Sequence, residues 1–335
     1  MSESLRPVYL AGTARYLPDQ IMSNVEMFDI PSVRNAFDVE KARGSLRGLE
    51  PGEVAALAPA EVFDRWAQQL TGIVERRILP DTPDARTEDM HVAAGRSALE
   101  HAGIDASEVD LLLAASLTAK EDVPNAACTI ADGIGRPDLP GYVLNAACAG
   151  FRHALASAYA FVASGAADTV LVTVGDALTR ITNWDDPKVA VLFGDGAGAA
   201  VVTSNPSPGR ILGTPVLDGE YSPDHLNVTG LGWGHPLGRE HKLTMAGGAN
   251  VLRNAVRSMQ DVADRALERT SVGWDDVDVV VPHQANERIT QGLEKVLQLK
   301  NGRVLHRIAK IGNLSASTVP IAVSYTHLTL PTKIV

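Results

Sequence analysis

Two stretches of this chain repeat each other at a long offset, and that repeat limits the possible folds more than any other feature. AGIDASEVDLLLAAS at 102–116 and TSVGWDDVDVVVPHQ at 270–284 each run from a helix end through an acidic turn into Val-Asp and a buried strand. The offset is 277 minus 109, or 168 residues. VYLAGT at 8–13 and RILGTP at 210–215 share a Gly-Thr pair at a second offset, 213 minus 12, or 201. The difference, 201 minus 168, implies an insertion of 33 residues in the first copy, placed within 25–65, where Pro, Gly and charged residues suit a surface excursion. A chain of 335 residues exceeds the usual single core, so the repeat divides it into two packed halves, 1–205 and 206–335.

Short apolar runs rich in Val and Leu alternate with helical patterns, which predicts buried strands in an α/β arrangement. Strands are expected near 8–13, 110–116, 141–146, 169–174, 189–193, 198–203, 210–217, 277–281 and 303–308. Helices are expected over 88–103, with acids in its first turn and an end at Gly103, and over 148–164, ending at Gly165. The repeat also predicts a short second half. After Val109 the first half runs 205 minus 109, or 96 residues, whereas 335 minus 277, or 58, follow Val277. The shortfall of 96 minus 58, or 38, corresponds to a final strand pair, and SYTHLTLPTKIV at 324–335 is expected to be a non-native tail.

Hydrophobic residues make up 45% of the chain and charged residues 21%, and no apolar run is long enough for a spanning helix, which describes a soluble protein. No basic-then-apolar leader is visible and two cysteines do not make a disulfide framework, so a cytoplasmic protein is expected. A net charge of −10 disfavours nucleic acid as a partner.

Three residues stand where strands end. Cys148, in VLNAACAGF, follows a buried strand and opens an Ala-rich helix, where backbone N–H groups and the helix dipole favour a thiolate nucleophile. The other cysteine, Cys128, has no such turn and reads as a small buried hydrophobe. His283 follows VDVVVP and opens HQANERITQGLEKVL; Asn313 lies in KIGNLSASTVP, after a glycine and before Ser and Thr that can start a helix. Alone, His283 could be a cap and Asn313 a turn residue. A cysteine, a histidine and an amide at successive strand ends point instead to one site, because strand carboxyl ends collect active sites in such sheets. FGDGAGA at 193–199 lacks the G-x-G-x-x-G spacing and runs into a strand, so it reads as a hairpin turn and not a dinucleotide site.

TGIVERRI at 71–78, NAACAGF at 145–151, VLFGDGAGAAVV at 191–202, VPHQANERI at 281–289 and IGNLSASTVP at 311–320 together resemble the signature of the ketoacyl-ACP synthase III family. The resemblance implies a thiolase fold, a duplicated layered α-β-α-β-α architecture whose second half here misses its final strands and their Gly-rich oxyanion loop. It implies that Cys148 takes an acyl group from a thioester and that His283 and Asn313 hold the thioester oxygen of a malonyl group as CO2 leaves. The substrates would be acyl-CoA or acyl-ACP and malonyl-ACP, with no bound cofactor and no metal.

Trp66 and Arg288 match positions of the family's coenzyme A and pantetheine channel, whereas two nucleotide-gripping arginines are replaced by Leu70 and Pro187. Arg253, Arg257, Arg288 and Lys295 would form a basic patch for an acidic acyl carrier protein; the alternative is a solvated helix face. Val123 falls where the family projects a residue from the partner subunit of a homodimer into the acyl pocket, and its size leaves room for a branched or medium chain. Two further functions fit the same parts: an acyltransferase that moves the acyl group to a hydroxyl or amine with His283 as base, and a noncatalytic acyl-binding subunit.

Overall fold

The computed structural model describes residues 5–219, 226–228, 242–245 and 248–327. Strand β1 (Tyr9–Tyr16) and short β2 (Ile21–Ser23) lead into five helices, α1 (Asn24–Met27), α2 (Pro31–Ala36), α3 (Val39–Arg43), α4 (Pro51–Ala56) and α5 (Pro59–Thr71). Then β3 (Glu75–Arg77) pairs back onto β2. There follow α6 (Thr87–Ala102), β4 (Leu111–Ala115), α7 (Ala126–Gly133), β5 (Gly141–Leu144), α8 (Gly150–Ser164), β6 (Thr169–Ala177), α9 (Pro187–Ala190) and β7 (Asp195–Thr203). The last part holds β8 (Leu226–Val228), β9 (Leu243–Met245), α10 (Gly248–Glu268), β10 (Val279–Val280), α11 (Glu287–Leu297), β11 (Arg303–Val304) and α12 (Thr318–His327).

The central sheet has the order β1-β7-β6-β4-β5 and is covered on both faces. Alternation along β4 and β6 explains the layering. Leu112 and Leu171 face Ala94, Ala98 and Ile130 of α6 and α7. Leu113, Val170 and Val172 face Ala154, Ala158 and Val162 of α8. Because both faces are buried, the strands read as unbroken apolar runs while their side chains still alternate. Gly12 is needed where β1 passes under α6, since a Cβ there would lie 2.5 Å from the Ala98 carbonyl oxygen. α6 and α8 end on Gly103 and Gly165 in the left-handed conformation, at φ 63° and 82°.

The backbone repeats at the offset read from the sequence. Turns at Ala106–Glu108 and Trp274–Asp276 precede β4 and β10, 274 minus 106, or 168 residues apart. Turns at Ala147–Ala149 and Ser315–Ser317 precede α8 and α12, 315 minus 147, or 168 apart. β10 pairs β11 in parallel, as β4 pairs β5.

Three expectations change. Residues 189–193 are not a strand: Asp186 caps and Pro187 starts the short helix α9, and Val189, Ala190 and Val191 are apolar because they are buried among other elements. Residues 210–217 form no strand; 209–211 only bridge the start of β1, through Leu10 N–H to Gly209 O and Ile211 N–H to Val8 O. Asp195–Ala199, read as a turn, belongs to β7. At the other end α12 continues through Ser324–His327, with Ser324 and Thr326 buried, while 328–335 of the expected tail lie outside the described residues. The 25–65 insertion is a helical layer, α1 to α5, with its own core of Met27, Val33, Phe37 and Phe63 that extends to Trp66. Phe37 meets Phe63 edge-on at 4.9 Å between ring centres.

Candidate active site

The site is built from two copies of one elbow. In the first, between β5 and α8, Asn145 Oδ1 accepts the Ala147 N–H at 3.3 Å, and Ala147 is left-handed at φ 45°. In the second, ahead of α12, Asn313 Oδ1 accepts the Ser315 N–H at 2.9 Å, and Ser315 is left-handed at φ 51°. Such conformations cost non-glycine residues roughly 1 kcal/mol or more, so surrounding packing holds them. The elbows touch at Gly150, whose absent Cβ would lie 3.1 Å from Ala115 Cβ and 3.2 Å from Ala316 Cβ. Cys148 rides the first elbow, and the Ser315 hydroxyl of the second donates to its Sγ at 3.7 Å.

Asn313 is tied to the first half by its backbone. Its N–H donates to Leu192 O at 2.8 Å and its carbonyl accepts from Gly194 N–H at 3.2 Å, a parallel bridge beside Phe193. Gly194 has no room for a side chain, with Ile311 O 2.7 Å from where its Cβ would stand. Buried Arg76 braces the same loops, donating to Asn24 Oδ1 and Val191 O. With Oδ1 engaged by Ser315, the Asn313 Nδ2 donors have no partner among the described residues and are available to a ligand.

His283 stands just beyond β10, with Nδ1 2.8 Å from Thr318 Oγ1. The Thr318 hydroxyl also lies 3.1 Å from Ser315 O, to which it can only donate. With its single proton there, Thr318 accepts from His283 Nδ1–H, so Nε2 carries the lone pair. Nε2 is buried and has no partner among the described residues. Burial pushes the imidazole down to about 4, leaving it neutral near pH 7. Buried Gln284 fixes the adjoining loops, donating to Leu305 O at 3.1 Å and accepting from Arg307 N–H at 2.6 Å.

The expected thiolate is corrected. The Cys148 pKa is raised, first by burial and further by the charge of Asp176, and the Ser315 hydrogen bond only partly offsets this. The ordered α-helix begins at Gly150, after the short turn that holds Cys148. Cys128 is corrected in the opposite sense: it lies exposed on α7, because Ala126, Ala127, Ile130 and Ala131 supply that helix's buried face.

Outside the elbows, Trp66, Leu70 and Arg288 share a cleft of about 760 Å³ with Ser45, Arg47 and Gly48 of the insertion. Gln69 joins the two sides, accepting from Arg47 N–H at 3.2 Å and donating to Arg47 O at 2.9 Å. Arg288 donates to Gln69 O. Arg253 and Arg257 are exposed on α10 and Lys295 on α11, two helices that pack together with Val256 against Gly292. Val123 is 87% exposed on the loop before α7.

Family models for 3-oxoacyl-[acyl-carrier-protein] synthase III match residues 142–217, and its C-terminal part matches 267–329. The chain is 35% identical over 313 residues to beta-ketoacyl-[acyl-carrier-protein] synthase III of Geobacillus kaustophilus, covering 93% of this chain and 87% of that protein. It is 36% identical over 315 residues to synthase III 1 of Bacillus cereus, covering 94% and 88%. This chain belongs to the beta-ketoacyl-ACP synthase III family. Among solved structures, 3-oxoacyl-ACP synthase III of Aquifex aeolicus superposes with a TM-score of 0.75 at 30% identity, covering 97% of this chain and 92% of that one. The priming β-ketosynthase of the R1128 polyketide pathway gives 0.77 at 29%, covering 99% and 91%. The synthase III fold is the duplicated α/β thiolase fold, and the family is one of acyltransferases.

Of the residues singled out from this synthase III sequence, Cys148, His283 and Asn313 are linked through Ser315 and Thr318, and Trp66 and Arg288 share one cleft. Val123 and the α10–α11 cations stand apart from both. Sequence reasoning missed Ser315, Thr318, Asp176 and Arg47. Ser315 and Thr318 lay inside the IGNLSASTVP motif but were read only as helix starters.

Proposed function

We propose that this chain is a synthase III-type condensing enzyme that works by a ping-pong route, with Cys148 as nucleophile and His283 and Asn313 as the enolate site. The observation that carries this reading is the single polar chain joining Cys148, Ser315, Thr318 and His283, with Asn313 fixed to the same Ser315. In the first half-reaction the Cys148 sulfur bonds to the acyl carbon and the carrier C–S bond breaks. The thiol proton passes to the lone pair of His283 Nε2 and on to the departing carrier thiolate. This route suits a pair that is neutral at rest.

In the second half-reaction malonyl carrier loses CO2, and the enolate oxygen faces Asn313 Nδ2 and His283. Before the second substrate binds, Nδ1 gives its proton to solvent and Nε2 takes one from it, while the Thr318 hydroxyl turns from Ser315 O to donate to Nδ1; the resulting Nε2–H donates to that oxygen. The enolate carbon then bonds to the acyl carbon, and the Cys148 sulfur leaves. Loss of one such donor typically costs roughly 100 to 1,000-fold.

The substrates in this reading are acyl-CoA or acyl-ACP and malonyl-ACP, with no bound cofactor or metal. Trp66 and Arg288 border the pantetheine arm in the outer cleft, and Arg253, Arg257 and Lys295 steer an acidic acyl carrier protein. The enzyme works in the cytoplasm as a homodimer of chains divided at 1–205 and 206–335, with Val123 reaching the partner's acyl pocket. Support for the dimer is the edge of β5, which has no partner strand beyond it among the described residues and where Tyr142 is exposed, together with exposed Val123. No helix among the described residues is long and apolar enough to cross a membrane.

A second reading is acyl transfer to a hydroxyl or amine, favoured by the resting tautomer, which leaves Nε2 free to act as a base. Incubation with a panel of acyl thioesters followed by intact mass measurement, with CO2 release from malonyl carrier measured in parallel, separates the two. An acyl adduct with CO2 release supports condensation. An adduct without it supports transfer, and no adduct removes both.

A further inference from the structure

Ser315 touches Asn313 and Cys148 directly and reaches His283 through Thr318, each through a different group. Its N–H holds Asn313 Oδ1 at 2.9 Å, its carbonyl accepts from the Thr318 hydroxyl that faces His283, and its Oγ donates to Cys148 Sγ at 3.7 Å. It is 2% exposed and sits at φ 51°, where a side chain without β-branching fits best. The matching residue of the first elbow, Ala147, shows that an alanine occupies this conformation at φ 45°. A hydroxyl is therefore not needed to make the turn. Its presence in the elbow that faces the sulfur calls for another reason.

We propose that Ser315 is a positioning residue for Cys148, its hydroxyl aiming the sulfur and stabilising the thiolate as it forms. The inference deepens the proposed function and rests on Cys148 being the nucleophile. A hydroxyl donor gains strength as its acceptor becomes anionic, so the contact is stronger in the reacting state than at rest. The buried sulfur has a raised pKa, and this bond is the largest influence acting against that rise.

The test uses the full chain with Cys128→Ser, so that only Cys148 reacts, and follows alkylation by iodoacetamide from neutral to alkaline pH. Ser315→Ala keeps both backbone contacts and removes only the hydroxyl. Its profile is expected to move to higher pH, with about three- to tenfold slower alkylation near neutrality and an unchanged alkaline plateau. A profile superimposable on the parent overturns the proposal. Ser315→Gly, which also relaxes the left-handed backbone, gives the same displacement if the hydroxyl is responsible. A displaced Ala profile with an undisplaced Gly profile assigns the effect to the backbone and overturns it as well. Acylation measured on the same samples keeps the two ideas separate. Normal acylation with an undisplaced profile removes Ser315 alone, whereas a parent that takes no acyl adduct removes the proposed function and leaves a displaced profile as an effect on thiol ionisation only.

Discussion

The charge of buried Asp176 opposes ionisation of Cys148. The carboxyl ends buried strand β6, where its Oδ1 accepts from Leu117 N–H at 2.6 Å and from the Ser116 and Thr118 hydroxyls. Burial still pushes it up to about 7, and its charge adds to the rise at Cys148. Asp176→Asn keeps an acceptor oxygen and removes the charge. Its Cys148 alkylation profile should move to lower pH, opposite to that of Ser315→Ala. The aspartate also lowers stability as pH rises from about 4 to about 7, because the unfolded carboxyl ionises first. Denaturation midpoints of the Asn variant should therefore gain on the parent across that window.

Cys148→Ser should abolish the acyl adduct, and Cys128→Ser should leave it intact. Exposed Cys128 should nonetheless label readily with thiol reagents. Peptide mapping after thioester incubation checks both statements, and an adduct that survives Cys148→Ser contradicts the assignment.

Asn313→Ala should impair malonyl decarboxylation more than acylation of Cys148, by roughly 100-fold or more, whereas His283→Ala should impair both half-reactions, since it takes the thiol proton in the first and faces the enolate in the second. Rapid-quench measurement of the two half-reactions checks this. Equal losses in the Asn313 variant would assign it to the cysteine and favour plain transfer.

Arg47→Ala and Arg288→Ala should raise KM for carrier thioesters with little change in kcat, since both line the outer cleft and neither touches the elbows. Because the cleft is open to solvent, each change should be modest, about three- to tenfold, and weaker at high salt.

His91 gives a separate pH test. Its ring lies 3.1 Å from Thr173 Oγ1 and 3.0 Å from Gly175 O, and burial pushes it from the ordinary 6.5 down to about 4. A folded pKa below the unfolded one makes its contribution full above 6.5 and lost as pH falls toward 4. His91→Gln should be less stable than the parent at neutral pH and should lose less on acidification, as read from urea midpoints at several pH values.

The sheet strands were legible because runs such as LLLAA and TVLVTVGDA are buried on both faces, and the glycine ends of α6 and α8 because the left-handed cap has few other solutions. VAVLF at 189–193 misled for the same reason: burial makes a helical turn as apolar as a strand, and only Asp186-Pro187 marks the difference. The 168-residue offset placed the second elbow opposite the first, yet nothing local to Ser315 shows that it faces a sulfur 167 residues away. That contact arises from the meeting of the two copies. The thiolate expectation failed because a helix start is visible in sequence and desolvation is not.

The backbone bridge between Asn313 and the Leu192–Gly194 segment has a consequence for motion. Two hydrogen bonds make the amide-bearing residue a one-residue extra strand on the other half's loop, so the halves cannot swing apart at this point without opening the site itself. Opening should then be all-or-none. The amide protons of Gly194 and Asn313 should exchange with deuterium at the same slow rate, as parts of one cooperative unit, and a ligand that fills the site should slow both together.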